Sequence, residues 1–269
     1  MSAAPLYAFP GGGTVPLPVR YCLGLDLGKL SDFSALAVVE ERPERCTEHF
    51  NRMTVTPVWG DDPERTIPHL QRWPLQTSYA AIAAEVGRLV ATLAGRPQTE
   101  VWLFTDATGV GVAVTEMLLS QEPLRQLAAR GRFAALTITG GTATTRGSAS
   151  TAGVAYATLH VPKVELVGAA QLALQSRRVK VAESLPEAAT LVAELRNFQV
   201  SYTEAANATY NARVGAHDDL VLAAALALYG ATQRVDNTVR VSSYLGGGLG
   251  RDIPQYGNGV KPYGRRAGR

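Results

Sequence analysis

Three short acidic segments of this chain carry the residue types that could do chemistry. The first two each place an aspartate directly after an apolar run: Asp26 within Gly24–Gly28, and Asp106 within Thr105–Gly111. The third, His217–Leu220, places two aspartates where an apolar stretch with helical spacing begins. Carboxylates beside a core cost free energy unless a cation compensates them, and Mg²⁺ and Mn²⁺ prefer oxygen ligands. These segments therefore predict a two-metal centre that hydrolyses a phosphodiester.

The elements that must position these aspartates predict a mixed sheet flanked by helices. Apolar runs predict strands over Arg20–Asp26, Ser34–Glu40, Arg52–Val58, Val101–Thr105 and Phe133–Thr139. Apolar residues at helical spacing predict helices over Tyr79–Leu93, Val110–Leu119, Pro123–Ala129, Pro162–Gln175, Glu187–Arg196 and Leu220–Tyr229. Three consecutive strands can pair antiparallel, and strands that follow helices can join them in parallel. The predicted fold class is therefore α/β, with a mixed sheet that resembles the RNase H fold and makes Asp26 and Asp106 neighbours.

Composition is that of one globular domain with polar ends. The chain has 269 residues, 46% of them apolar, which suffices for one sizeable core. Four prolines and three consecutive glycines predict a flexible arm over residues 1–18, and a surplus of six basic over two acidic residues between Asp236 and Arg269 predicts a flexible basic tail over 233–269. The domain between them spans 19–232. The net charge of +3 neither requires nor excludes nucleic acid as a partner.

Two further stretches give weaker predictions. The Thr-, Gly- and Ser-rich segment Gly140–Ser150 is expected to be a mobile loop. Cys22 and Cys46, the only cysteines, predict neither a disulfide framework nor a zinc site. No apolar run approaches the roughly 18 residues of a membrane span.

Taken in order, the acidic segments and their neighbours resemble the nuclease domain of the large terminase subunit, the motor-nuclease of tailed bacteriophages and related viruses. The matching segments are Gly24–Gly28 with Ser31–Val39, Asp106–Gly111, Val161–Lys163, Glu194–Phe198 and His217–Ala223. The resemblance implies an RNase H-like endodeoxyribonuclease that cuts double-stranded viral DNA during genome packaging. The family's protein normally carries an ATPase domain before the nuclease, and this chain has no room for one. It is therefore expected to be either an excised domain or a stand-alone nuclease subunit.

The resemblance also implies which residues hold the metal. Asp26, Asp106 and Asp219 are the implied catalytic ligands, with Asp218 as a fourth candidate ligand. We expect Asp26 to bridge two Mg²⁺ or Mn²⁺ ions, with Asp106 completing the shell of one ion and Asp219 that of the other. Because a carboxylate also stabilises a helix N-terminus, one of the adjacent aspartates could bind metal while the other caps the helix or holds an outer-shell water. Asp219 is the preferred ligand.

Contacts with DNA are expected to be made to phosphate, which positions a duplex without reading its sequence. The candidate residues for these contacts are Lys163, Arg146, Arg196, His217, Lys261, Arg265 and Arg266. The expected partners are double-stranded DNA, a packaging ATPase domain or subunit, and the portal and small-terminase machinery, with no membrane. The expected location is the cytoplasm of the infected or prophage-carrying bacterial host.

Other functions remain open from the sequence alone. A different RNase H-like enzyme, of the Holliday-junction resolvase or transposase type, would use the same carboxylates. A non-catalytic packaging module would keep the fold without cutting, and an ATP-dependent kinase-like protein would share the Asp26–Gly28 turn. Two further acidic residues are not expected at the centre: Asp32 as a hairpin residue and Glu194 as a surface charge on a helix.

Overall fold

The computed structural model describes residues 6–8, 14–28, 32–43, 45–49, 54–58, 63–109, 111–202, 208–212, 217–233 and 241–242. Within these ranges the strands are β1 (Leu6–Ala8), β2 (Thr14–Pro16), β3 (Val19–Asp26), β4 (Ser34–Glu41), β5 (Arg45–His49), β6 (Thr54–Val58), β7 (Arg65–Trp73), β8 (Thr99–Asp106), β9 (Phe133–Thr139), β10 (Thr145–Thr151), β11 (Val154–Pro162), β12 (Val179–Val181), β13 (Phe198–Tyr202), β14 (Ala208–Ala212) and β15 (Val241–Ser242). The helices in the same ranges are α1 (Tyr79–Ala94), α2 (Gly111–Leu119), α3 (Glu122–Ala129), α4 (Lys163–Gln175), α5 (Ala188–Asn197) and α6 (Asp219–Thr232).

Eight of these strands form one mixed sheet in the order β10-β11-β9-β8-β3-β4-β7-β12. β4 pairs antiparallel with both β3 and β7. On the other side of β3, β8 pairs in parallel, and β9 pairs in parallel with β8. Three neighbouring antiparallel strands, β3, β4 and β7, are thus extended by parallel strands, which confirms the mixed, helix-flanked, RNase H-like sheet predicted from the order of elements.

Helices cover both faces of the sheet, so the core has two halves. Alternate residues of a strand point to opposite faces, and β3 shows this directly. Cys22 belongs to the core half shared with α4, α5 and α6, whereas Leu23 and Leu25 belong to the half shared with α1, α2 and α3. Asp26 has the same parity as Cys22. It therefore faces the layer that contains α6.

The apolar helix α6 lies unusually close to β3, and Gly24 permits the approach. A Cβ atom at position 24 would overlap the carbonyl oxygen of Ala223 and lie 2.5 Å from the backbone nitrogen of Ala227. A second close approach occurs at Gly230, where a Cβ atom would overlap the ring of Phe104 on β8. The helix is therefore seated on the strands that end in Asp26 and Asp106.

The third predicted strand forms, but its predicted place in the main sheet was wrong. Residues 54–58 do form a strand, but β6 pairs with β5 and β15 in a separate sheet. The strand that pairs with β4 is β7, whose sequence is RTIPHLQRW and whose buried residues do not alternate regularly along the strand. Its pairing with β4 is irregular between Val38 and Glu40. Pro68 lies at this irregularity and lacks the N–H that a regular ladder needs.

The predicted mobile loop also contains a strand. β10, over Thr145–Thr151, pairs antiparallel with β11 and forms one edge of the main sheet. Most of its residues are exposed, so no alternation of apolar residues marks it in the sequence. Among the described residues, no helix combines the length and the apolar character that a membrane crossing requires. The division of the chain at residues 18 and 232 stays a prediction.

Candidate metal centre

Two of the predicted aspartates lie side by side, at the carboxyl ends of two neighbouring strands of the sheet. Leu25 of β3 lies opposite Thr105 of β8, and Asp26 and Asp106 come next on strands about 4.8 Å apart. Asp26 is 7% exposed. Burial raises the pKa of Asp26 well above its ordinary value, and the Asp106, Asp219 and Asp218 carboxylates raise it further in that order. The Asp26 side chain thus lies within the field of three other carboxylates.

The turn after β8 orients Asp106. The Thr108 N–H donates to Asp106 Oδ1 over 2.7 Å, and Thr108 Oγ1 accepts from the Ile138 N–H on β9 over 2.7 Å. Gly109 has a φ of 75°, in the left-handed region that favours glycine. Burial raises the pKa of Asp106, whereas the hydrogen bonds from Thr108 act in the opposite direction. The carboxylate is therefore held in place by its own turn.

Asp219 reaches the same edge of the sheet from α6. Gly24 of β3 lies against Ala223 of α6. Asp26 is two residues further along β3 than Gly24, a distance of about 6.6 Å. Asp219 is four residues before Ala223 on α6, a distance of about 6 Å along the helix axis. The electrostatic effect of Asp219 on Asp26 agrees with this placement. Asp26, Asp106, Asp218 and Asp219 are called the acidic cluster below.

Asp219 is 6% exposed, and burial raises its pKa to about 6. Among the neighbouring charges, His217 lowers this pKa and Asp218 raises it. Asp219 Oδ2 is buried without a hydrogen-bond partner in the described part of the protein. Nδ1 of His217, a half-exposed side chain, lies 3.7 Å from that oxygen. A buried carboxylate oxygen in this state is costly, and a divalent cation is a partner that it accepts.

The donor set of the acidic cluster therefore fits a divalent metal ion in its chemistry and in its charge. The side chains of the acidic cluster nevertheless lie too far apart to bind one ion together. Within the described ranges, no group of three or more His, Cys, Asp or Glu side chains is placed closely enough to hold an ion as it stands. The fit thus rests on the buried oxygen of Asp219 and on the raised pKa values of three aspartates.

A lysine at the start of α4 lies beside the acidic cluster. Lys163 is the first residue of α4, and its Nζ lies 3.8 Å from Asp218 Oδ2. The Lys163 charge lowers the pKa of both Asp26 and Asp106. It offsets part of the carboxylate repulsion, which is a role that the sequence did not predict for it.

The expectation that Glu194 is a surface charge was wrong. Glu194 is 5% exposed and lies on the inner side of α5. Burial raises its pKa, although the N–H groups of Val221 and Leu220 act in the opposite direction. Leu191, three residues earlier, is buried on the same helix. That spacing was the sequence signal which could have identified Glu194 as an inward-facing residue.

The remaining candidates for DNA contacts lie at different places. His217 is beside Asp219, and Arg196 is exposed in the last turn of α5. Arg146, on β10, donates a hydrogen bond to Gln233 Oε1. Gln233 follows the end of α6, about 21 Å along the helix axis from Asp219. Lys261, Arg265 and Arg266 lie outside the described residues.

The comparisons with known proteins give structural matches alone. No model of a protein family matches the chain, and no curated protein matches it. One similar solved structure is the large terminase nuclease from the thermophilic phage G20c with bound cobalt, with 21% identity, a TM-score of 0.49, and coverage of 78% of this chain and 80% of that one. The same nuclease with bound magnesium gives 22% identity, a TM-score of 0.47 and coverage of 78% and 80%.

A third similar structure is the human cytomegalovirus terminase nuclease domain, soaked with manganese and bound to an inhibitor. It has 12% identity, a TM-score of 0.48, and coverage of 80% of this chain and 83% of that one. All three of these similar structures are terminase nucleases or their nuclease domains.

Proposed function

We propose that this chain is a divalent-metal-dependent endodeoxyribonuclease of the terminase type. It cuts double-stranded viral DNA with little sequence specificity during genome packaging. The observation that carries the proposal is the acidic cluster, in which Asp106, Asp218 and Asp219 lie near enough to Asp26 to raise its pKa further. Burial also raises the pKa values of Asp106 and Asp219. Such a set of repelling carboxylates is costly to fold, and perturbed carboxyl groups of this kind concentrate at functional sites.

Asp26, Asp106 and Asp219 would hold two Mg²⁺ or Mn²⁺ ions, with Asp218 as a further ligand. When bound, such ions supply an activated water and stabilise the charge that develops on the leaving oxygen. Asp26 contributes the central carboxylate, because its pKa is raised by each of the other three. Asp106 contributes a carboxylate that the Thr108 N–H keeps in one orientation.

The basic side chains beside the acidic cluster would hold the substrate. Lys163 is only half-buried, so its ammonium group can contact a phosphate that approaches the cluster. His217 is half-exposed on the side of Asp219 and can do the same. These contacts read no bases, which supports cutting with little sequence specificity. The proposed partners are duplex DNA and a packaging ATPase, with the portal and small-terminase machinery, in the cytoplasm of an infected bacterium.

Cleavage of a supercoiled plasmid in Mn²⁺, in Mg²⁺ and in EDTA tests the proposal. We expect nicking and linearisation in either metal and none in EDTA. Asp106→Asn should abolish cutting because it removes a ligand charge while keeping the acceptor for Thr108. The matched control is Glu122→Gln, an exposed carboxylate on α3 that pairs with Arg125 and Gln126, and this variant should cut normally.

Two other outcomes would change the assignment. A folded protein that binds neither metal and cuts no DNA would contradict the nuclease. A strong preference for branched over linear DNA would indicate the resolvase alternative. If cutting of linear duplex requires an added packaging ATPase, the chain acts as the nuclease part of a larger motor.

A further inference from the structure

The N-terminus of α6 is capped from another helix. Asp218 occupies the N-cap position of α6, but its side chain makes no capping hydrogen bond. An aspartate at this position ordinarily accepts a hydrogen bond from the N–H of the second or third helical residue. In α6 those residues are Leu220 and Val221. Both of their N–H groups already have another acceptor.

Glu194 of α5 is that acceptor. Its Oε2 accepts from the Leu220 N–H over 2.9 Å and from the Val221 N–H over 3.2 Å. Both bonds are buried. The capping role that the sequence left open for one of the adjacent aspartates is therefore taken by Glu194, because neither aspartate accepts these two hydrogen bonds.

The other carboxylate oxygen of Glu194 faces an arginine without accepting a hydrogen bond in the described part of the protein. This oxygen, Oε1, lies 3.6 Å from Nη1 of Arg72 on β7. The Arg72 guanidinium lies over the ring of Phe33, 4.5 Å from the ring centroid. Phe33 makes an edge contact with His217, with ring centroids 5.0 Å apart. His217 lies beside Asp219, so this series of contacts begins and ends at the first turn of α6.

We propose that Glu194 is a positioning residue, which caps α6 in place of Asp218 and so leaves both Asp218 and Asp219 available to cations at the acidic cluster. The inference rests on the proposed function, since it assigns a role toward the metal ions. Without Glu194, the Asp218 side chain is the adjacent acceptor for the vacant N–H groups. The Asp218 side chain would then turn away from Lys163, which lies 3.8 Å from it. The position of Asp219, the first residue of α6, would change as well.

Binding of Mn²⁺ to the purified protein, followed by electron paramagnetic resonance and by calorimetry, tests the inference without any cleavage. Glu194→Ala should weaken Mn²⁺ binding by about tenfold or more, which is the usual effect of removing a group that orients metal ligands. Glu194→Gln keeps a carbonyl oxygen that can accept from Leu220 and Val221. It should bind Mn²⁺ within about threefold of the unaltered protein.

A double-mutant cycle separates positioning from a general loss of stability. Asp218→Asn should weaken Mn²⁺ binding in the unaltered protein, because Asp218 is available there. In the Glu194→Ala background it should have no further effect, because Asp218 has already turned to cap the helix. Additive effects in this cycle, or normal Mn²⁺ binding by folded Glu194→Ala, would overturn the inference.

Two further outcomes remain decisive. If Glu194→Ala does not fold, Glu194→Gln decides alone, since a tenfold loss of affinity in that variant would make Glu194 a ligand rather than a positioning residue. If the unaltered protein binds no Mn²⁺, the proposed function fails as well. Normal binding by the unaltered protein together with additive effects in the cycle would remove only the role of Glu194.

Discussion

Replacing Asp219 with asparagine should stabilise the protein when no metal is present. Asp219 has a pKa of about 6 in the folded protein, against an ordinary value of 3.8. A difference of about two units corresponds to about 3 kcal/mol at a pH where the carboxylate is ionised in both states. Asparagine has nearly the same shape and carries no charge. At pH 8 in EDTA, the free energy of unfolding should therefore rise by up to about 3 kcal/mol.

Thermal unfolding with and without Mn²⁺ measures this effect. For a domain of this size, about 3 kcal/mol corresponds to an increase in Tm of roughly 6–12 °C. Saturating Mn²⁺ should raise the Tm of the unaltered protein, since a ligand at a hundred times its Kd contributes about 2.7 kcal/mol. The Asp219→Asn variant should gain much less from Mn²⁺, because one ligand charge is missing.

Asp218→Asn is the matched control, since it changes the adjacent residue in the same way. The Asp218 side chain is 24% exposed and lies 3.8 Å from Lys163 Nζ. An ion pair with this exposure contributes little, so the free energy of unfolding should change by less than about 1 kcal/mol. A loss of stability in Asp219→Asn at pH 8 in EDTA would refute the reasoning. So would a response to Mn²⁺ equal to that of the unaltered protein.

Three other changes have expected outcomes. Gly24→Ala should destabilise the protein by about 1–3 kcal/mol or more in urea unfolding, because the added methyl overlaps the backbone of α6. The control is Gly168→Ala, in a helix where an added Cβ meets nothing within 4 Å, and it should be neutral or stabilise the protein by up to about 1 kcal/mol. Equal effects at the two positions would contradict the close packing of α6 on β3. In EDTA, the contribution of Asp219 to stability should be complete below its ordinary pKa of 3.8 and should be lost as pH rises through about 6, since its pKa is raised on folding. Urea unfolding of the unaltered protein and of Asp219→Asn, from about pH 4 to about pH 7, measures this difference. An identical pH dependence in both proteins would rule it out. Lys163→Met should strengthen Mn²⁺ binding a few-fold in calorimetry, because a cation that competes for the acidic cluster is removed; weaker binding would mean instead that Lys163 holds Asp218 in place.

The elements that carry the three central aspartates could be predicted because each has a strong local pattern. β3 and β8 are continuous apolar runs that end in the aspartate, and α6 is apolar on all sides after its first residue. Patterns of this kind indicate buried strands and buried helices without knowledge of the fold. The neighbouring positions of Asp26 and Asp106 then followed from the order of strands and helices.

Features that depend on contacts distant in sequence could not be predicted in the same way. β7 contains polar residues and a proline, and its pairing with β4 is decided by the whole sheet. The acceptor at the N-terminus of α6 comes from Glu194, on a different helix. The spacing of Glu194 from Leu191 could mark it as inward-facing, but a glutamate on an amphipathic helix is usually solvated. Its hydrogen bonds to α6 are decided only when α5 and α6 pack together.

The position of α6 has a consequence for the synthesis of the protein. β3 and β8 leave the ribosome long before α6. Yet Asp218 and Asp219 stand at the start of α6, and the same helix packs closely against Gly24 of β3. Contacts between such distant segments form late, because the intervening chain must first be ordered. A nascent chain that has not reached residue 218 contains only two of the four carboxylates. Assembly of the acidic cluster is thus coupled to translation of nearly the whole domain, and products of translation that end before residue 219 cannot contain the complete cluster.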